Sequence, residues 1–133
     1  MRIWMSSLLV LILGGCQSTG TSLPETDFQG KVPADLNAQL LKLNDQPIQS
    51  FRGQTVHVIY QEDRALVTIV QKLRSARWTW DMHKSQISDD VLAQTCRDFG
   101  DAIDQGLGVR TWFAGSGGFV TDIVKAGDCD GLK

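Results

Sequence analysis

The sequence predicts an α+β fold, in which an antiparallel sheet of about five strands carries helices packed on one face. Three observations lead to this prediction. Apolar residues recur at helical spacing in two segments, they alternate as in strands in five others, and two cysteines of the C-terminal half favour one disulfide. The predicted order is α-β-β-β-α-β-β, and a length of 133 residues indicates one domain.

The two helices are predicted over residues 34–45 and 89–105. Ser88 can cap the N terminus of the longer helix, and Gly106 can cap its C terminus. One face of that helix is apolar, and it holds Leu92, Cys96, Phe99 and Ile103. This stripe predicts that Cys96 points toward the core.

Five short segments are predicted as strands because their apolar residues alternate or are rich in β-branched types. They are residues 55–60, 65–72, 77–83, 108–114 and 119–125. A short polar turn joins the first two, and a glycine-rich loop joins the last two, so each pair is expected to form an antiparallel hairpin.

The N-terminal residues are typical of an exported lipoprotein. Residues 1–15 combine a positive start with an apolar run too short to span a bilayer permanently, as in a signal peptide. Leu13-Gly14-Gly15-Cys16 resembles the bacterial lipobox, which implies a diacylglyceryl thioether on Cys16 and a further acyl chain such as palmitate. A plain signal peptide followed by a chance cysteine is the alternative.

The mature chain is expected to divide into a tether and a domain. Residues 16–31, which include the lipidated Cys16, are polar and lack apolar periodicity, so they are predicted to be a flexible tether. Residues 32–133 are predicted to form the globular domain. In the lipoproteins that this N terminus resembles, aspartate after the cysteine retains the protein in the inner membrane, so Gln17 favours the outer membrane.

Cys96 and Cys129 form an even pair in an exported chain, which predicts a disulfide. A metal site is the alternative, although His57 and His83 stand alone in their segments. No nucleophile, base and orienting group can be assembled by spacing, so we expect no enzymatic activity, no metal and no cofactor beyond the covalent lipid. The formal net charge of −2 gives no electrostatic case for nucleic acid.

Three tryptophans of the mature chain, Trp78, Trp80 and Trp112, are the unusual feature of the composition. They can fill the core, or they can form a partly exposed aromatic wall that binds a partner. The second interpretation makes them the predicted partner-binding residues.

Taken together, these features resemble the small pilotin lipoproteins of type II secretion, in the class with a β-sheet and a disulfide. The features are the lipobox at Cys16, the polar tether and leading helix, the Gln46-Pro47-Ile48 run, the hairpin of residues 55–72, the Ala93-Gln94-Thr95-Cys96 stretch, the hairpin from residue 108, and Asp128-Cys129. The likeness covers about 95 residues as a pattern of elements, and residues 73–87 do not match it.

The resemblance implies a monomeric, non-catalytic chaperone at the periplasmic face of the outer membrane of a Gram-negative bacterium. Pilotins bind the disordered C-terminal tail of a secretin, which becomes helical in a groove, and the lipoprotein sorting machinery then carries the complex to the outer membrane. The resemblance also implies the Cys96–Cys129 disulfide and the lipid on Cys16. The alternative is an outer-membrane lipoprotein that inhibits a periplasmic enzyme or binds a small ligand in a pocket among the tryptophans.

Overall fold

The computed structural model describes residues 22–132, in which the regular elements are two α-helices, a 3₁₀ turn and four strands. In chain order they are α1 (Ala34–Leu41), the 3₁₀ turn (Lys42–Asp45), β1 (Gln49–Ser50), β2 (Gln54–Gln61), β3 (Leu66–Leu73), α2 (Lys84–Asp104) and β4 (Gly108–Ala114). The predicted signal peptide, Cys16 and the first part of the tether lie outside the described residues. The α+β class is confirmed.

The sheet has the order β1-β2-β3-β4 and is mixed. The pairs β1–β2 and β2–β3 are antiparallel, whereas β3–β4 is parallel. The predicted antiparallel sheet of five strands is therefore wrong in both strand count and direction. The reason is that α2 carries the chain back to the end where β3 begins, and a strand that follows such a crossover runs parallel to its neighbour.

The predicted hairpin of residues 55–60 and 65–72 is confirmed by β2 and β3. The two strands are paired along their full length, from Gln61 opposite Leu66 to Gln54 opposite Leu73. The turn between them ends at Ala65, which has a φ of 51° and so lies in the left-handed region.

Residues 77–83 were predicted as a strand, and this prediction is wrong. The segment pairs with no strand of the sheet, and it is held at the end of β4 by Trp80, whose ring meets the Phe113 ring edge-on at a centroid distance of 5.2 Å. The Trp80 backbone N–H donates to the Ser116 carbonyl oxygen at 2.9 Å, and its indole N–H donates to the Ala114 carbonyl oxygen at 2.9 Å.

Residues 119–125 were predicted as the last strand, but they form only isolated antiparallel bridges beside β4, at Val109–Val124 and Trp112–Val120. Hydrogen bonds between Thr111 and Thr121 hold the segment there. The segment covers the outer edge of β4 without extending the sheet as a regular strand, and such a covered edge does not invite pairing with another chain.

Both helices differ at one end from the prediction. The segment 34–45 is an α-helix only to Leu41 and then tightens into the 3₁₀ turn. Helix α2 begins at Lys84, before the predicted Ser88 cap, and the Gln86 side chain accepts a hydrogen bond from the His83 N–H at 3.3 Å. Ser88 lies within the helix, and its hydroxyl donates to the Lys84 carbonyl oxygen.

The core lies between the helices and one face of the sheet. Alternation along each strand places Tyr60, Val67 and Val109 on this face, where the sheet register aligns them. Helix α2 contributes Cys96 and Ile103, both buried, as the predicted apolar stripe requires. We call this side of the sheet the core face and the opposite side the second face.

The predicted disulfide is confirmed. Cys96 and Cys129 are bonded with a Cα–Cα distance of 5.5 Å, and both residues are buried. The bond attaches the C-terminal residues to the middle of α2, across 33 positions of sequence.

Candidate functional site

One half of the second face is covered by residues 22–31, which we call the strap. Two arginines, one in the turn between β2 and β3 and one on β4, hold it by its backbone carbonyl groups. Arg110 donates to the Pro24 oxygen at 2.8 Å, and Arg64 donates to the Thr26 oxygen at 2.8 Å. The Gly30 N–H in turn donates to the Arg64 carbonyl oxygen at 2.9 Å. These residues were assigned to the tether by their composition, yet they pack against the sheet.

Arg110 is buried, with 3% of its surface exposed, and it points from β4 onto the second face. Its Nε donates to the Thr68 hydroxyl oxygen at 3.0 Å. Burial lowers the pKa of the Arg110 guanidinium from its usual value, and the nearby Arg64 lowers it further. A guanidinium buried in this way needs its hydrogen bonds to be satisfied, so Arg110 and the strap stabilise one another.

The other half of the second face is open, and it forms a groove with a volume of about 600 Å³. Its lining residues come from the segment before β1, from three strands and from the two chain segments that leave β3 and β4. They are Ile48, Thr55, His57, Ile59, Val70, Lys72, Leu73, Arg74, Trp112, Ala114 and Gly115.

Sheet register explains why these residues meet. His57, Val70 and Trp112 stand side by side in one row across β2, β3 and β4. The next row toward the end of the sheet contains Thr55, Lys72 and Ala114. Side chains in one row of neighbouring strands share a face, so the first row forms a largely apolar floor and the second row forms its rim.

The rim of the groove is basic. Lys72 and Arg74 are exposed, and Arg74 donates a hydrogen bond to the Phe51 carbonyl oxygen at 3.3 Å. None of the residues that line the groove is an aspartate or a glutamate, and neither cation forms an ion pair with any residue between 22 and 132. The groove therefore presents uncompensated positive charge to solvent.

Large apolar side chains are exposed around the groove. Ile48 lines it and is 55% exposed, and Phe51, in the turn after β1, is 49% exposed. Trp78 is also 49% exposed and lies against this turn, since a Cβ on Gly53 would be 3.6 Å from its ring. Such exposed apolar surface beside a groove is typical of a binding site.

The three tryptophans predicted to bind a partner have different surroundings. Trp112 lines the groove, Trp78 is exposed at its side, and Trp80 packs on Phe113 with its indole N–H already bonded. The groove residues Ile48, His57 and Lys72 were not predicted as binding residues. Alternation along β2 and β3 places the two strand residues on a common face, but the sequence does not reveal which half of that face is open.

The two histidines belong to different parts of the fold. His57 is half-buried in the groove floor, and His83 is exposed immediately before α2. Among residues 22–132, no group of three or more histidine, cysteine, aspartate or glutamate side chains is arranged to hold a metal ion.

No helix in that same range is both long enough and apolar enough to cross a membrane.

Comparisons of the chain with known protein families, with characterised proteins and with solved structures found no match.

Proposed function

We propose that this protein is a lipid-anchored pilotin, a non-catalytic chaperone that binds the C-terminal tail of a type II secretion secretin and promotes its assembly in the outer membrane. The observation that carries the proposal is the open groove on the second face, with Trp112 in its floor and Ile48 exposed at its side. Apolar grooves of this kind accept the apolar face of an amphipathic helix.

The dimensions of the groove suit a short helix. Three strands and the segment before β1 lie side by side along the groove and span about 14 Å, which is the length of roughly nine helical residues. A tail that is disordered alone and helical when bound must offset an ordering cost of a few kcal/mol. Burial of two or three large apolar side chains against Val70 and Trp112 offsets it, since each contributes about 1.5–3 kcal/mol.

The predicted lipid on Cys16 supplies the delivery step of the proposed function. Six residues reach from Cys16 to Ser22, so the anchor lies at most about 20 Å from the first described residue. Several acyl chains hold such a protein firmly in a bilayer. The groove would therefore work close to the periplasmic face of the outer membrane, where secretin multimers assemble.

The proposal is tested by deleting the gene and following secretin multimers in outer-membrane fractions by immunoblotting. We expect the multimers to be lost or mislocalised, and to return when the wild-type gene is restored. Restoration with Ile48→Glu, which places a charge in the groove, is expected to fail. Leu132→Glu is the matched control, because Leu132 is 47% exposed and outside the groove. Normal multimers in the deletion strain would contradict the proposal.

A second candidate function is the binding of a small ligand or the inhibition of a periplasmic enzyme. The volume of the groove favours it, because about 600 Å³ lies within the usual range for small-molecule sites. It predicts that quenching of Trp112 fluorescence by a ligand is lost in Ile48→Glu, while secretin assembly is unchanged in the deletion strain.

A further inference from the structure

We propose that the groove selects a polypeptide segment whose apolar face is flanked by carboxylates. This inference rests on the proposed function and adds the chemistry by which the partner is recognised. It stands on the placement of two exposed cations along one side of an apolar floor.

The two cations, Lys72 and Arg74, lie where they can contact one flank of a bound helix. Lys72 lies one row beyond Val70 and Trp112, toward the end of the sheet, and Arg74 follows directly after β3. A helix that covers the row of His57, Val70 and Trp112 therefore has one flank over Lys72. Aspartate or glutamate on that flank would be within reach of both cations.

The charge at this end differs in sign from that of the whole chain. The formal net charge is −2, yet the turn and loop beside the groove add Arg52 and Arg77 to the cations of the rim. Both residues are exposed, and each is adjacent in sequence to an exposed aromatic residue. Charge complementarity therefore favours an acidic partner, and apolar contact adds the attraction that salt does not screen.

Two types of peptide serve as probes for the purified full-length protein in detergent. One is the C-terminal tail of the secretin encoded in the same genome. The other is a designed helix of about twelve residues with leucines on one face and glutamates on its flanks, together with a copy in which lysines replace the glutamates. Dissociation constants are measured by fluorescence anisotropy at about 0.05 M and about 0.3 M salt.

We expect Lys72→Glu and Arg74→Glu each to weaken binding of the secretin tail by about fivefold to tenfold and to reduce its salt dependence. The control Lys31→Glu makes the same change of charge at an exposed residue outside the groove, and its affinity should stay within about twofold of wild type. The glutamate-flanked peptide should bind more tightly than the lysine-flanked one. Because Lys72 is exposed, its variant is expected to fold, and matching urea midpoints verify this.

The outcomes separate the inference from the proposed function. If Ile48→Glu weakens binding of the secretin tail while Lys72→Glu and Arg74→Glu leave its affinity unchanged, the inference is overturned and the proposed function stands. If the secretin tail does not bind and the glutamate-flanked peptide binds in a groove-dependent way, the proposed function is lost and the inference stands. Equal affinity for the glutamate-flanked and the lysine-flanked peptide overturns the inference. A last outcome concerns lipid. If the Lys72→Glu change weakens binding of a Cys16→Ser chain to phosphatidylglycerol vesicles but does not weaken peptide binding, the inference is also overturned.

Discussion

Tyr60 connects α1, the 3₁₀ turn and the sheet through three hydrogen bonds. Its hydroxyl donates to the Asn37 side-chain oxygen at 2.6 Å. Its backbone N–H and C=O both bond to the Asn44 amide, at 2.8 and 3.0 Å, as a neighbouring strand would bond them. Asn44 therefore closes the edge of β2 beyond the short strand β1, which satisfies backbone groups that would otherwise be open to another chain.

The Tyr60 hydroxyl gives a prediction about pH. Burial raises the pKa of Tyr60 above its usual value of 10.0, and the charge of Glu62 raises it further. The folded state thus holds this proton more tightly than the unfolded state, so its contribution to stability is complete below about pH 10 and is lost as pH rises through the raised pKa. Urea unfolding measured between about pH 8 and pH 11 is expected to show this loss.

The matched variant is Tyr60→Phe, which keeps the ring and removes the titrating group. We expect it to be about 1 kcal/mol less stable than wild type near pH 8, because the bond to Asn37 is lost. Its stability should fall less steeply with pH than that of wild type. Identical slopes for the two proteins would contradict the assignment.

At the scale of elements, the strap is attached by a few polar contacts and by close backbone packing. A Cβ on Gly108, at the start of β4, would lie 2.5 Å from the Phe28 ring, so this aromatic residue reaches the sheet only because the position is glycine. Gly106, at the C terminus of α2, has a φ of 119°, and a Cβ there would meet the Lys31 carbonyl oxygen. Two glycines thus allow the strap to pass directly over the end of α2 and the start of β4.

Removal of Arg110 is expected to release the strap. Arg110→Ala leaves the Pro24 oxygen and the Thr68 hydroxyl without this donor, so we expect a loss of about 2–4 kcal/mol in the free energy of unfolding. Hydrogen exchange at the Gly30 amide should become faster as the strap opens. The control Arg97→Ala, on the exposed side of α2, should change the free energy of unfolding by no more than about 0.5 kcal/mol and leave exchange at the Gly30 amide unchanged. An unchanged Gly30 amide in Arg110→Ala would show that the strap is held by other contacts.

The disulfide is the strongest single link between α2 and the C-terminal residues. Closing a loop of 33 positions lowers the entropy of the unfolded chain by an amount worth about 4 kcal/mol. We expect the double variant Cys96→Ala, Cys129→Ala to lose about 3–4 kcal/mol in urea unfolding, and reduction of the wild-type protein to have a similar effect. Full stability after reduction would show that packing around these buried residues suffices.

At the scale of the whole molecule, the two faces of one sheet have different roles. The core face is covered by α1 and α2, and the second face is divided between the strap and the groove. Pro24, near the start of the strap, bonds to Arg110 on the second face, so the start of the strap and the proposed binding site lie on the same side of the sheet. A segment bound in the groove would therefore lie on the same face of the sheet as the strap.

The predicted anchor can be checked on the mature protein. Mass spectrometry is expected to find a chain that begins at Cys16 and carries acyl groups on that residue. The Cys16→Ser form should still bind the secretin tail, because the groove is distant in sequence, but it should fail to deliver the secretin to the outer membrane. An unmodified sulfur at Cys16 in the mature chain would exclude the lipid-anchored mechanism.

Local patterns in the sequence predicted those features that depend on neighbouring residues. The alternation along residues 55–72 predicted the β2–β3 hairpin, and the apolar stripe of α2 predicted the burial of Cys96. The alternation along residues 77–83 does not form a strand, because Trp80 packs on Phe113 and bonds to the Ala114 carbonyl oxygen while Trp78 is exposed. The choice of Trp78, Trp80 and Trp112 as a binding set likewise rested on residue type, and of these only Trp112 lines the groove.

The sequence by itself determined the α+β class, the central hairpin and the cysteine pair, because each follows from local periodicity or from the number of residues of one type. Only the tertiary structure decided that β4 runs parallel to β3, that the strap covers half of the second face, and that the remaining half forms a basic-rimmed groove. These features depend on contacts between residues far apart in the chain, such as Arg110 with Pro24, and local patterns carry no information about which distant segments meet.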